Sequence, residues 1–201
     1  DGRLQAAFDT LGIRYTGPDS LGCALSMDKG VTKELFHSSG VPTPYGTHIT
    51  RKDKDISLEE LQIPLPLVVK PCSGGSSIGV HFAHTEEEYR EAMRLSFEKE
   101  DEVVIEPFID GREYACGIFD GQALPLVEII PDGGVFDYVH KYQSGGASEI
   151  CPATSVDAET TAAIQKAGVL AAQALRLNVY CRADFIVDKR TGQFFCLEVN
   201  S

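Results

Sequence analysis

The chain has 201 residues and a formal net charge of −12, from 30 acidic and 18 basic residues. This excess of acidic residues disfavours a general nucleic-acid binder, because affinity for phosphate backbones depends on clustered Lys and Arg. No apolar run approaches the roughly 20 residues of a membrane-spanning helix, and the opening segment lacks the pattern of a signal peptide. We therefore expect no nucleic-acid partner and no membrane insertion.

The six cysteines are spread along the chain without a C-x-x-C pair. This spacing disfavours zinc ligation and a disulfide framework, and it is typical of buried thiols in a reducing cytoplasm. The five histidines are scattered, and none adjoins a cysteine in a recognisable motif, which disfavours a thiol enzyme. These patterns predict a cytoplasmic protein whose chemistry rests on other residues.

The first quarter of the chain is predicted to be mainly helical. Helical spacing of apolar residues predicts one helix from Arg3 to Leu11 and a second from about Met27 to Ser38, separated by a turn-rich stretch. Residues 43–50 are predicted to form a strand, and the polar stretch at residues 51–55 an exposed loop.

The remaining chain alternates strands with two longer helices. A short apolar strand at residues 67–70 leads into a Gly-rich stretch, and the next helix is predicted to begin at a capping box of Thr85 and Glu88. The predicted apolar face of this helix is Tyr89, Ala92, Met93 and Phe97. The later elements are strands near 102–106, 112–119 and 123–130, a loop around 131–152, a helix at about 157–176, and final strands YCRADFIV and QFFCLEVN. Helices mixed with hairpin-connected strands predict an α+β fold.

The Gly-rich segment KPCSGGSSIG, residues 70–79, is a candidate phosphate site. Small residues let backbone N–H groups approach phosphate oxygens, and Lys70 supplies a positive charge at the root of the loop. The segment matches neither the G-x-x-x-x-G-K-[ST] nor the G-x-G-x-x-G pattern. A flexible surface turn is the alternative interpretation.

The final two strands carry a candidate metal site. Strand alternation puts Arg182 and Asp184 on one face, and Glu198 and Asn200 likewise share a face. An even pairing register would bring all four together, whereas an odd one would separate them. Two carboxylates about 4 Å apart repel by roughly 4 kcal/mol at an effective dielectric constant near 20, so such a pair favours a cation. Oxygen ligands of this kind suit Mg²⁺. A solvated hairpin face is the alternative.

A connector between two strands lies in the middle of the chain, with the sequence EPFIDGRE at residues 106–113. Backbone N–H and carbonyl groups of such a connector can bind the edge of an adenine, and a carboxylate such as Glu113 can accept ribose hydroxyls. Strand–turn–strand segments with acidic residues are common, so this segment alone does not identify a nucleotide site.

Together and in this order, the segments resemble the ATP-grasp superfamily, and specifically the D-alanine–D-alanine ligases. The similar segments are SMDKGVTKELF, VVKPCSGGSSIGV, VVIEPFIDGREY, FDYVHKY, ICPA and CRADFIV followed by FFCLEVN. The resemblance implies two α+β subdomains whose antiparallel sheets clasp ATP. It divides the chain into the end of an amino-terminal substrate domain (1–28), a central ATP-grasp subdomain (29–105) and an incomplete carboxy-terminal subdomain (106–201).

The resemblance also implies a role for individual side chains. Lys29, Lys70 and Lys141 correspond to lysines that bind the ATP phosphates, and Ser76 and Ser77 to the loop that closes over phosphates and substrate. The implied adenine contacts are Glu106, Pro107 and Ile109, and Glu113 is the implied ribose carboxylate. Arg182 corresponds to the arginine that stabilises the tetrahedral intermediate, and Tyr142 with Ser76 to the pair that positions substrate. The implied ligands of Mg²⁺ (or Mn²⁺) are Asp184, Glu198 and Asn200.

The chemistry implied is phosphorylation of one D-alanine carboxylate by ATP, followed by attack of the amine of a second D-alanine, for peptidoglycan synthesis. A D-alanine–D-serine or D-alanine–D-lactate ligase is the alternative; Tyr142 after Lys141 favours the dipeptide enzyme over the lactate type. A non-catalytic nucleotide-binding module is disfavoured because binding ATP alone needs neither Arg182 nor Tyr142. The resemblance further implies a homodimer for the full-length enzyme.

Both ends of the chain lack parts that the resemblance leads us to expect. The chain does not begin with Met, and its last strand runs almost to the final residue. The first-substrate contacts of the amino-terminal domain and the segment after Asn200 are absent. We interpret the chain as truncated at both ends and expect it to be inactive alone.

Overall fold

The computed structural model describes residues 1–75, 78–131 and 147–201. The helices of this part of the chain are α1 (Arg3–Leu11), α2 (Ser20–Met27), α3 (Lys29–Ser39), α4 (Leu58–Leu61), α5 (Glu86–Lys99) and α6 (Ala158–Ala174), with a 3₁₀ turn at Arg51–Asp53. Its strands are β1 (Thr47–Thr50), β2 (Leu67–Pro71), β3 (His81–Ala83), β4 (Glu102–Pro107), β5 (Gly111–Phe119), β6 (Gln122–Ala123), β7 (Val127–Pro131), β8 (Ala147–Ile150), β9 (Tyr180–Asp188) and β10 (Phe194–Asn200).

The amino-terminal region has one helix more than the sequence pattern predicts. Helix α1 has the predicted bounds, but α2 follows it, and α3 begins at Lys29 instead of Met27. Asp19 caps α2 by accepting a hydrogen bond from the Gly22 N–H, at 2.8 Å. Asp28 likewise caps α3, and its extended backbone separates the two helices. Two aspartate caps nine residues apart therefore divide this region.

The first sheet has the strand order β1-β4-β2-β3, with every pair antiparallel. One face packs against α5 through its predicted apolar side chains, which are all buried: Tyr89, Ala92, Met93 and Phe97. Thr85 accepts from the Glu88 N–H as predicted, but the Glu88 carboxylate accepts from the N–H of His84 instead of closing the capping box on Thr85.

The second sheet has the order β10-β9-β5-β7-β8, with β6 paired to β5, and is also antiparallel. Helix α6 packs across it, and the core between them includes Ile164, Ala171, Ala183 and Phe185, each fully buried. The predicted strand at 123–130 is two strands, β6 and β7, because residues 124–126 leave the sheet. The predicted loop around 131–152 contains β8.

Helix α3 joins the two halves. Phe36 and the following Val41 lie in the core of the second sheet, whereas Gly30 and Lys33 contact the first sheet. The predicted α+β fold with two antiparallel sheets is confirmed. The predicted boundaries at 28/29 and 105/106 stay predictions; the second falls inside β4, shortly before the chain crosses to the other sheet.

No helix among the described residues combines the length and the apolar character that crossing a membrane requires.

Gly111 marks the point where the chain enters the second sheet, and its neighbours leave no room for a side chain. A Cβ there would lie 2.4 Å from Cγ1 of Ile186 and 2.5 Å from the carbonyl oxygen of Val187. We expect Gly111→Ala to lower the free energy of unfolding by about 1–3 kcal/mol, measured by urea denaturation, because overpacking a strand contact displaces the backbone. Gly75→Ala is the control, since a Cβ there meets nothing within 4 Å. Equal stability of the two variants would contradict the prediction.

Candidate functional site

A cleft of about 990 Å³, including its open mouth, separates the two sheets. Side chains from both sheets and from α3 line it. Among them are these predicted site residues: Lys29, Lys70, Glu106, Pro107, Ile109, Glu113, Asp184 and Glu198. Four other predicted site residues, Ser76, Ser77, Lys141 and Tyr142, lie outside the described residues. The cleft therefore brings together most of the predicted phosphate, adenine, ribose and metal contacts.

A β-bulge in β10 decides which side chains reach the cleft. Cys196 pairs with Phe185 in the core, and continuing this register would place Glu198 opposite Ala183. The register instead shifts by one residue between Cys196 and Glu198, so Glu198 pairs with Asp184 and Asn200 with Arg182. All four polar residues consequently share one face. The metal-site hypothesis required an even pairing register, and the bulge produces this register at Glu198 and Asn200.

Asp184 is the centre of this polar face. Its carboxylate accepts two hydrogen bonds from the Arg182 guanidinium, at 2.8 and 2.9 Å, and one from Nδ2 of Asn200, at 2.9 Å. Burial raises the pKa of Asp184, and the neighbouring carboxylates of Glu198 and Glu113 add to the rise, while Arg182 opposes it. The surrounding negative charge thus favours a cation beside Asp184.

The donors of this face fit a magnesium ion. Asp184 and Glu198 are on directly paired positions of β9 and β10, and Asn200 follows one alternation later. Carboxylate and amide oxygens are the ligands that Mg²⁺ takes in proteins, usually with several waters and substrate phosphates. Asn200 turns its amide nitrogen toward Asp184, and a half-turn of the amide would present its oxygen instead.

Lys29 lies between this acidic face and the Gly-rich segment. Its ammonium group donates to the carbonyl oxygen of Gly74, at 2.9 Å, and lies 3.8 Å from the Glu198 carboxylate. Its backbone N–H donates to the carbonyl oxygen of Cys72, at 2.9 Å. The first residue of α3 is therefore bound to the root of the Gly-rich loop, and its positive charge faces the cleft.

A buried ion-pair triad supports the floor of the cleft. The Glu106 carboxylate pairs with Lys70 through one oxygen and with Lys33 through the other, the latter at 2.5 Å. Burial opposes ionisation of Glu106, but Lys70 and Lys33 together outweigh it, so the pKa of Glu106 is lowered. Both oxygens of the Glu106 carboxylate are therefore engaged by lysines, which leaves its backbone groups for the predicted adenine contact.

Lys33 is a residue that the sequence reasoning did not identify. It is only 6% exposed, and its ammonium group also donates to the carbonyl oxygen of Pro44, at 2.6 Å. The signal that could have found it is its position four residues after Lys29, which places both lysines on one side of α3.

Apolar side chains form the rest of the cleft and were also not predicted. Val68 and Phe82 come from the first sheet, and Ile186 and Leu197 from the second, with Phe108 from the connector between the sheets. The rings of Phe82 and Phe108 meet edge to face, with centroids 5.8 Å apart. Opposed apolar walls of this kind can hold a flat aromatic group between them, with polar groups at one end for a charged tail.

Comparisons with known proteins agree on one family. The family model described as the D-Ala–D-Ala ligase C-terminus matches residues 35–201. A D-alanine–D-alanine ligase of Desulfotalea psychrophila is 41% identical over 208 residues, which cover 100% of this chain and 64% of the relative. The chain therefore spans less than two thirds of the length of that relative.

Two solved structures are similar over the whole chain. The crystal structure of the Bacillus anthracis D-alanine–D-alanine ligase complexed with ATP has a TM-score of 0.83 and 34% identity, and 64% of it is covered. The VanG D-Ala:D-Ser ligase of Enterococcus faecalis has a TM-score of 0.86 and 32% identity, and 59% of it is covered.

Proposed function

Because the chain belongs to the D-alanine–D-alanine ligase family, we propose that it carries the ATP site of a ligase that joins two D-alanine molecules for peptidoglycan synthesis. The observation that carries the proposal is the cleft, in which Lys29, Lys70 and two of the three oxygen ligands line one apolar slot. The third ligand, Asn200, and Arg182 are paired with each other on the same face of the second sheet. The chain covers 64% of its relative, so the complete reaction is proposed for the whole protein.

The cleft suggests a direction for the nucleotide. We infer that the adenine lies between the apolar walls, with its edge against the backbone of residues 106–109 and the ribose hydroxyls near Glu113. The phosphates then extend toward Lys29 and Lys70, whose positive charges favour them. Ser76, Ser77 and Lys141 are proposed further phosphate contacts on the strength of the resemblance.

Asp184, Glu198 and Asn200 would hold Mg²⁺, which offsets charge on the transferring phosphoryl group. Arg182 supplies a further positive charge on the face that carries these ligands. Its guanidinium is oriented by two hydrogen bonds to Asp184, so it can donate to an oxygen that becomes negative during acyl transfer. Tyr142 and Ser76 are proposed to position the D-alanine substrate, again from the resemblance.

The setting of the whole protein is proposed as well. The described cysteines are all free thiols, which supports a reducing cytoplasmic environment. The proposal of a homodimer rests on the family resemblance. The proposed division of the chain into domains at residues 28/29 and 105/106 rests on the same resemblance.

Calorimetric titration with ATP tests the nucleotide site directly. We expect the chain to bind ATP in the presence of Mg²⁺ and to lose at least about tenfold in affinity, or ~1.4 kcal/mol, when EDTA replaces the metal or when Lys70 is changed to Met. Lys54→Met is the control, because Lys54 is exposed and outside the described lining of the cleft, and this variant should bind ATP like the wild type. ATP binding that is indifferent to both Mg²⁺ and Lys70, in folded protein, would rule out the proposed site.

A D-alanine–D-serine ligase is the second candidate, because the similarity to the Enterococcus faecalis D-Ala:D-Ser ligase extends over the whole chain. Identification of the product that the whole protein forms from ATP and D-alanine mixed with D-serine or D-lactate separates the candidates, because each acceptor gives a different dipeptide or depsipeptide.

A further inference from the structure

Three potential metal ligands converge on the first sheet, outside the cleft. They are His48 of β1, Glu102 of β4 and Cys72, directly after β2, and their candidate ligand atoms all lie within 4.8 Å of one another. Nε2 of His48 is 3.0 Å from the Glu102 carboxylate. The described lining of the cleft includes none of the three. The cluster is therefore a feature separate from the proposed ATP site.

Strand pairing holds the three residues in place. His48 pairs with Val104 and Thr50 with Glu102, so His48 and Glu102 are diagonal neighbours on the same face of the sheet. The backbone N–H of Cys72 donates to the carbonyl oxygen of Glu102, at 3.1 Å, which fixes the third residue beside the second. A site built on paired strands needs little rearrangement to bind an ion.

Helix α3 packs against the His48 side of the cluster. The His48 ring lies against Gly30, where a Cβ would come within 3.2 Å of three ring atoms. Cys72 is buried, whereas the side chains of His48 and Glu102 are 32% and 46% exposed. An ion could therefore enter from the solvent side and keep a water ligand there.

A thiol, an imidazole and a carboxylate form a donor set that differs from the all-oxygen set of the cleft. Sulfur and imidazole nitrogen favour zinc and similar cations over magnesium, and three protein ligands with one water are a common zinc arrangement. Burial raises the pKa of the Cys72 thiol to about 12, so binding must release the thiol proton to solvent as the metal–sulfur bond forms.

We propose that His48, Cys72 and Glu102 form a site for a thiophilic divalent cation of the zinc class, separate from the magnesium ligands of the cleft. The bound ion would join β1, β4 and the root of the Gly-rich loop. It would also lie next to the start of α3, because the Cys72 carbonyl accepts the N–H of Lys29. The ion therefore has a structural role at the edge of the ATP site.

Titration of the tag-free, reduced, EDTA-stripped chain with Co²⁺ tests the proposal, since a thiolate bound to Co²⁺ absorbs in the near ultraviolet. We expect one equivalent to bind with this absorption, Zn²⁺ to displace it, and excess Mg²⁺ to leave it unchanged. Cys72→Ser should abolish the band, and His48→Gln should weaken Co²⁺ affinity at least about tenfold. Cys151→Ser, which alters an exposed cysteine, should retain the band.

The melting temperature of each variant, with and without Zn²⁺, distinguishes loss of metal binding from misfolding. Zn²⁺ should raise the melting temperature of the wild type and of Cys151→Ser, but not that of His48→Gln, whose side chain lies on an edge strand and is partly exposed. The proposal is overturned if the wild type shows no thiolate band, if the band persists in Cys72→Ser, or if Zn²⁺ stabilises all the variants equally.

Discussion

Replacing Lys33 by Met is expected to lower the free energy of unfolding by about 3 kcal/mol, because removing one partner of a buried ion pair leaves the other charge poorly compensated. Glu106 is 4% exposed and would keep only Lys70 as a cationic partner. The loss should therefore lie at the lower end of the range for buried pairs. Urea denaturation at neutral pH measures it, with the exposed Lys52→Met as the control.

The same variant should bind ATP more weakly. With Lys33 absent, Lys70 becomes the only neutralising partner of Glu106, so its charge is less available to phosphates. Adding Glu106→Gln to Lys33→Met removes the uncompensated carboxylate and should restore most of the lost stability, a coupling that a double-mutant cycle quantifies. If Lys33→Met is no less stable than Lys52→Met, or if the second change gives no recovery, the triad has no energetic role.

The acid range provides a further check on the triad. The pKa of Glu106 is lowered in the folded chain, so its ionised form contributes stability above the unfolded value, and this contribution disappears as the pH falls through the folded pKa. Removing Lys33 raises the folded pKa of Glu106 toward or above the unfolded value. The difference in stability between wild type and Lys33→Met should hence be greatest near neutral pH and shrink on acidification.

Local sequence patterns were sufficient for the elements with strong periodicity. Helix α1 has the predicted bounds, and the four apolar residues predicted for α5 are all buried. Helix α2 was not predicted, because the turn residues before it concealed the Asp19 cap and its short apolar pattern has only eight residues. Elements that depend on one capping hydrogen bond or on a two-residue pairing, such as β6, leave little periodic signal.

The candidate site was predictable as a set of side chains but not as a geometry. Strand alternation correctly grouped Asp184 with Arg182 and Glu198 with Asn200, yet whether the two pairs meet depends on the bulge at Leu197. A one-residue bulge is a property of two paired strands, so the sequence of either strand alone does not reveal it. Contacts between distant segments, such as Lys33 with Glu106 or His48 with Glu102, were hidden for the same reason.

Asp184→Asn is expected to change stability and nucleotide affinity in opposite directions. In EDTA, the variant should be more stable than the wild type by up to about 1 kcal/mol, because the partly buried carboxylate next to Glu198 and Glu113 loses its charge. Its Mg²⁺-dependent ATP affinity should fall at least about tenfold, since a carboxylate ligand becomes a weaker amide ligand. Denaturation in EDTA and calorimetry with Mg²⁺ and ATP measure the two effects.

Asp188→Asn is the matched control, because Asp188 ends the same strand but lies outside the described lining of the cleft. The N–H of Thr191 lowers the pKa of Asp188 against the opposing effect of burial, and the N–H and charge of Arg190 lower it further. Removing this charge should therefore reduce stability slightly and leave ATP affinity unchanged. We therefore expect stability changes of opposite sign at the two aspartates of this strand. The charge of Asp184 lowers the stability of the folded chain, whereas the charge of Asp188, which accepts hydrogen bonds from turn N–H groups, raises it. A stability loss at both positions, with ATP affinity intact in Asp184→Asn, would contradict the assignment of Asp184 as a metal ligand.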